Sequence, residues 1–241
     1  MTLSHKIAKF FQAEFYRRTW RRIQRFVHPI SMRSLLHRID QQRLRILEER
    51  HGSPPPDAPE SWRHYAKYLN LKKWLRINVR RVQDLNLHRA APQDILDIGC
   101  GPGFFLFVAQ SRGHRGLGLD IPGMPIFDDL VELFGVERII HRIEMLQPLP
   151  DLGRKFDLIT AFSTAFHGGG KLSGRWGPRE WDFFISDLER HLKPGGRIFF
   201  GLNPAYDGNF YTPEILDLFL RHGAKVERER VLFPPESSKR N

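Results

Sequence analysis

Cysteine occurs once in these 241 residues, at Cys100, so no intrachain disulfide can form and a reducing compartment is expected. No apolar run approaches the roughly 18 residues that a membrane-crossing helix needs. The ligand spacings of common metal sites, Cys-x-x-Cys and His-Glu-x-x-His, are missing as well, and no metal is expected. Acidic residues are scarce at one end only. Residues 1–89 hold 7 Asp/Glu against 20 Lys/Arg, whereas residues 90–241 hold 20 against 18. The formal net charge of +11 therefore belongs to the N-terminal segment and says nothing about the remainder. The basic start has no compact apolar core of a secretory signal, because its apolar residues are scattered among arginines. Glu14, and Ser4 as the lone serine of the first 28 residues, argue against a transit peptide, and the expected location is the cytoplasm.

What is there divides the chain. Leu3, Ile7, Phe11, Phe15, Ile23 and Phe26 fall near helical spacing with Lys and Arg between them, so residues 3–27 read as a basic amphipathic helix. A second helical stretch covers 31–50, and residues 1–51 form a basic helical extension. Residues 52–60, "GSPPPDAPE" with its prolines, read as a stiff linker. Within 61–92, Leu71, Trp74, Leu75, Val79, Val82 and Leu85 make one apolar stripe, the mark of helices docked on a main domain.

From residue 93 to 241 the pattern becomes strand, turn, helix, repeated. "DILDIG", "GLGLDI", "RIIHRI", "FDLITAFST" and "RIFFGLN" read as strands. Helices lie between them, with Pro125 and Pro213 near two starts and Gly113, Gly135 and Gly223 at three ends. The Lys193-Pro194-Gly195-Gly196 run is expected to stop the helix before the fifth strand, and "KVERERVLF" to form one closing strand whose valines do not alternate. This alternation predicts an α/β fold: a doubly wound, mostly parallel sheet with helices on both faces.

The first strand runs into Asp97-Ile98-Gly99-Cys100-Gly101-Pro102-Gly103. The loop spacing Gly-x-Gly-x-Gly differs from the Gly-x-Gly-x-x-Gly of dinucleotide sites, and no Lys-Ser/Thr follows as in a P-loop. Asp97 at the head of the loop would repel a pyrophosphate but suits a cationic amino group. Asp120 ends the second strand, 17 residues after Gly103, where an acid accepts hydrogen bonds from ribose hydroxyls. S-adenosylmethionine carries both a ribose and an aminoacyl cation.

With "LDIGCGPG", "GLGLDI", "FDLITAFST" and "LKPGGRIFF" in this order, residues 93 to 233 resemble a class I S-adenosylmethionine-dependent methyltransferase. The resemblance implies that Asp97, Gly99, Cys100, Gly101 and Gly103 hold the methionine end and that Asp120 binds the ribose. It implies Ile121 beside the adenine, Glu144 as the adenine-side acid, and Ala161 and Phe162 flanking the sulfonium. The family usually ends in an antiparallel strand pair, and little chain remains after Phe233 for its last strand.

The reaction implied is methyl transfer from S-adenosylmethionine to a small-molecule or lipid-like acceptor. A non-catalytic S-adenosylmethionine-binding subunit and a nucleic-acid methyltransferase are the alternatives, and a nicotinamide oxidoreductase is disfavoured by the glycine spacing. His167, after the fourth strand and before Gly168-Gly169-Gly170, is the candidate general base, and Trp176 and Trp181 are candidate pocket walls. Asn203-Pro204 reads as a turn. The helix over 3–27 suits an anionic membrane surface, a nucleic acid or a structural contact, with nucleic acid the less favoured partner; oligomeric state is not legible. On the membrane reading each Lys/Arg near an anionic bilayer contributes about 1 kcal/mol. The full chain should co-sediment with anionic vesicles and be released by salt, while a chain starting at Ser61 should stay in solution and keep the cofactor. Equal sedimentation of both chains would refute the assignment to residues 3–27.

Overall fold

The computed structural model describes residue 19 and residues 29–53, 64–122, 124–164, 176–205 and 207–235. Two helices, α1 (Met32–His37) and α2 (Gln41–Gly52), replace the single helix expected over 31–50. The break falls at Asp40, whose backbone is extended and whose carboxylate accepts from the N–H groups of Gln42 and Arg43, capping α2. A 3₁₀ turn (Ala66–Leu69) leads into α3 (Leu71–Asp84), capped by the Asn70 side chain. Leu71, Leu75, Val79 and Val82 are buried on one face of α3, as their spacing requires.

The α/β part follows as β1 (Asp94–Ile98), α4 (Phe104–Gln110), β2 (Arg115–Asp120), α5 (Pro125–Phe134), β3 (Glu137–Ile140), β4 (Phe156–Phe162), α6 (Pro178–Arg190), β5 (Leu192–Gly201), α7 (Pro213–Arg221), β6 (Lys225–Glu227) and β7 (Arg230–Phe233). The seven strands form one sheet in the order β3-β2-β1-β4-β5-β7-β6. The first five are parallel; β7 runs antiparallel to both β5 and β6.

Two expectations are corrected here. "KVERERVLF" is a hairpin rather than one strand: Arg228 turns the chain with φ +53°, and Val226 pairs with Val231 across it. The failure of alternation is the turn itself, and the antiparallel edge is complete. The run Lys193–Gly196 does not merely end α6. It lies within β5, where pairing jumps from Phe156↔Leu192 to Leu158↔Arg197, so the extra residues bulge out of the ladder.

One sheet face is covered by α6 and α7 around Trp181, Phe184, Phe200, Phe219 and Phe233. The other is covered by α3, α4 and α5, and Leu35 of α1 and Ile39 just after it join the same buried cluster. α2 is tied to α5 by Arg43–Glu132 and by Arg50 and His51 to Asp129. Residues 32–52 of the segment read as an extension are thus packed on the domain, and a chain beginning at Ser61 would uncover the surface beneath Leu35 and Ile39. Apart from residue 19, residues 3–27 lie outside the described residues, as do residues 54–60. No helix among the described residues is long and apolar enough to cross a membrane.

Leu35 is 1% exposed, so Leu35→Ala removes buried methyls from a closed cluster. The expected cost is about 2–5 kcal/mol, read from denaturant unfolding. A loss below the error of extrapolation would mean that α1 is not part of the folded core.

Candidate functional site

Strand order reverses between β1 and β4, which opens a crevice beyond the carboxyl ends of the sheet, the usual ligand position in doubly wound folds. A cleft of about 810 Å³ fills it. Its floor is Asp97, 3% exposed near the end of β1. The Thr160 hydroxyl of β4 donates to the Asp97 carboxylate at 2.7 Å. Burial away from water pushes the Asp97 carboxyl up to about 7, outweighing the hydrogen bond and the nearby Arg81 charge that favour ionisation.

Arg81 enters the same end of the cleft from α3. Its guanidinium lies 4.4 Å from the centre of the Phe162 ring, donates to Asn78 Oδ1 at 3.1 Å and to Ser163 Oγ at 3.3 Å. Among the described residues no carboxylate is within ion-pair distance of it. Phe162 in turn leans on Phe199 (5.5 Å between ring centres), Arg230 stacks on Phe199 at 5.0 Å, and Arg230 donates to Asp84 at 3.0 Å, back on α3. Ser163 has φ +58°, an uncommon conformation for a residue with a side chain. Its carbonyl is held by Asn203 Nδ2 at 2.8 Å, so the expected Asn203-Pro204 turn also fixes the end of β4.

The glycines serve different neighbours. Gly99 and Gly101 border the cleft, and a Cβ on Gly99 would come 2.7 Å from Thr164 Oγ1. Gly103 does not border it; with φ +78° it starts α4 and lets Val136 pack at a distance where a Cβ would be only 3.2 Å away. The Cys100 side chain packs over Gly118, and burial pushes its thiol up, leaving an unreactive group. Asp120 accepts from the backbone N–H of Gly101 and, at 2.8 Å, from that of Ile121. The acid at the end of β2 therefore also anchors the loop, and burial raises its pKa.

Of the other expected residues, Ile121, Glu144 and Phe162 line the cleft, while Ala161 is buried in β4 behind it. Trp176 lines the cleft; Trp181 belongs to the core. His167 and the three glycines after it lie outside the described residues. Reasoning from the sequence missed Arg81 and Asn78, although a cation three residues from an Asn on the flank of an apolar stripe was a signal. It also missed the overhang of Tyr65 and Tyr68, which meet Phe127 edge-on above the loop. No group of three His, Cys, Asp or Glu side chains among the described residues is placed to hold a metal. The cleft thus combines a carboxylate, a guanidinium and a second carboxylate, a set suited to a ligand with an amino-acid terminus and adjacent hydroxyls.

Residues 96–200 match the family model described as "Methyltransferase domain". A tRNA U34 carboxymethyltransferase of Campylobacter hominis is 26% identical over 141 residues, 57% of this chain and 41% of the relative. A ubiquinone biosynthesis O-methyltransferase of Acinetobacter baylyi is 25% identical over 150 residues, 59% of this chain and 57% of the relative. The match thus spans about half the length of these relatives. The crystal structure of Streptomyces venezuelae DesVI shares the fold, with a TM-score of 0.52 at 15% identity over 74% of this chain and 99% of that one. The sheet order and the glycine loop agree with the family model over residues 96–200, and this part of the chain is similar to the class I S-adenosylmethionine-dependent methyltransferases.

Proposed function

We propose that the chain transfers a methyl group from S-adenosylmethionine to a flat, weakly polar acceptor. The observation that carries this reading is the placement of a buried carboxylate, Asp97, and a half-buried guanidinium, Arg81, at one end of the cleft. Two opposite charges, one of them shut away from water and neither in an ion pair among the described residues, match the ammonium and carboxylate of the methionine part. Bound there, the cofactor supplies a methyl on a sulfonium. The chain supplies orientation: Asp97 and Arg81 hold the zwitterion, Asp120 accepts from ribose hydroxyls, and Gly99, Cys100 and Gly101 offer backbone at close range. Ile121 and Glu144 border the adenine end, Phe162 borders the methyl end, and Gly103 and Ala161 support the loop and strand from behind.

Ile143, Phe162 and Trp176 make the acceptor side apolar and flat. That lining supports the small-molecule or lipid-like acceptor expected from the sequence, and a nucleobase equally well. One relative's name specifies tRNA and the other ubiquinone. His167 is the proposed base; His167→Ala should lower turnover about 10²–10⁴-fold with cofactor affinity kept.

Calorimetry with S-adenosylhomocysteine tests the cofactor site. Asp97→Asn and Arg81→Gln should each weaken binding by about 1.5–3 kcal/mol, the scale of a charge-assisted hydrogen bond. Asp97 must be ionised to hold an ammonium, so affinity should rise with pH up to about 7 and then level off, and Asp97→Asn should abolish this rise. The apo protein should show the opposite sign. A carboxyl raised from 3.8 to about 7 stabilises the fold at low pH, and that contribution is lost as pH climbs through about 7. NAD binding with no response to S-adenosylhomocysteine would end this reading.

A further inference from the structure

We infer that the outer face of α3, with α1 beside it, docks the phosphate backbone of a nucleic acid strand. Lys72, Lys73, Arg76 and Arg80 are exposed on α3, and Arg33 on α1 and Arg38 at its C-terminal cap are exposed beside it, α1 packing against α3. Several cations elsewhere among the described residues are neutralised: Arg43 with Glu132, Arg50 with Asp129, Arg138 with Asp128, Arg154 with Glu137, Arg230 with Asp84. Arg45, Arg179, Arg221 and Lys225 are single exposed cations rather than a strip. Among the described residues no carboxylate lies within ion-pair distance of Arg33, Arg38, Lys72, Lys73, Arg76 or Arg80. Asp40, the exposed acid nearest in sequence to Arg38, is turned to cap α2. Lys72 to Arg80 spans about 12 Å of helix at 1.5 Å per residue, so the face is a strip of like charge rather than a point.

The chemistry of the strip favours a phosphate chain over a bilayer. The large exposed apolar side chains among the described residues are Ile46, Ile121, Ile140, Met145 and Leu220, none of them on α1 or α3. The apolar face of α3 is spent on the core, so this helix has nothing to sink into a membrane. Its flank facing the cleft carries Trp74, Asn78 and Arg81, and Lys73 Nζ stands 5.6 Å from the Trp74 ring centre. A strand held by the strip has its bases beside Trp74 and Tyr68, rings of the kind on which unpaired bases stack. That a base then enters the cleft rests on the methyl-transfer reading; the docking itself does not.

The test is fluorescence anisotropy of a labelled single-stranded RNA of mixed sequence with the full chain, titrated at several salt concentrations. Binding should weaken steeply with salt, by about 0.7 in log–log slope for each phosphate neutralised. The variant K72Q/K73Q/R76Q/R80Q should lose close to 3 units of that slope and bind at least about tenfold more weakly near 0.1 M salt. Arg76→Gln alone should lose about 0.7, and Lys72→Arg/Lys73→Arg should bind as the parent does. Unchanged melting temperature and S-adenosylhomocysteine affinity in these variants keep the outcome separate from the cofactor reading. The inference is overturned if the fourfold variant binds RNA as tightly as the parent. It is also overturned if the parent ignores RNA and the fourfold variant instead loses binding to phosphatidylglycerol vesicles.

Discussion

The hydrogen bond from Thr160 to Asp97 joins β4 to β1 at the point where the sheet changes direction, and the site is organised around it. Thr160 is fully buried and its hydroxyl also lies 3.3 Å from the Leu96 carbonyl, so the carboxylate cannot swing away from the crevice. A buried acid with one neutral donor stays short of partners for its charge. That shortage raises its pKa in the free protein and is relieved by a cation in the cleft. The other elements arrange the space above it: the loop from Gly99 to Gly103 runs over one side, Asp120 pins the loop from β2, and Arg81 closes the other side.

The alternation of strands and helices was legible because β1, β2 and β4 are short, largely buried runs and α4 to α7 carry Gly or Pro at an end. The same holds for the loop and for Asp120, whose positions follow from where β1 and β2 stop. Arg81 was not legible in that way. Its value comes from α3 lying across the end of the sheet, and the local pattern shows only a cation on the flank of an apolar stripe. The hairpin at Arg228 hid for a related reason: a turn made by a residue with a side chain at φ +53° lacks the Gly or Asn that announces most such turns. The bulge in β5 hid behind Pro194 and Gly195, which read locally as the end of a helix.

The N-terminal helices are the part where composition misleads most. Their high positive charge suggests a segment separate from the domain, yet Leu35, Ile39 and Leu75 share one cluster with Phe104 and Leu106 of the α/β core. Charge describes their outer face and hydrophobicity their inner one, and only α3 shows both faces clearly in its spacing. The helix that carries the outer cations also carries a wall of the cleft, so the two surfaces are set in register by one rigid element.

The contacts from Arg81 through Phe162, Phe199 and Arg230 to Asp84 leave α3 and return to it. Their members come from distant parts of the chain: Arg230 stands 146 residues beyond Asp84, in the last strand. During synthesis, the loop, Asp97 and Asp120 can all be in place while this ring is still open. The chain closes it only once β7 has been made and has docked along β5. The orientation of Arg81 is therefore finished only after residue 230 has been made, and a chain released before Arg230 carries the glycine loop without a fully braced guanidinium above it.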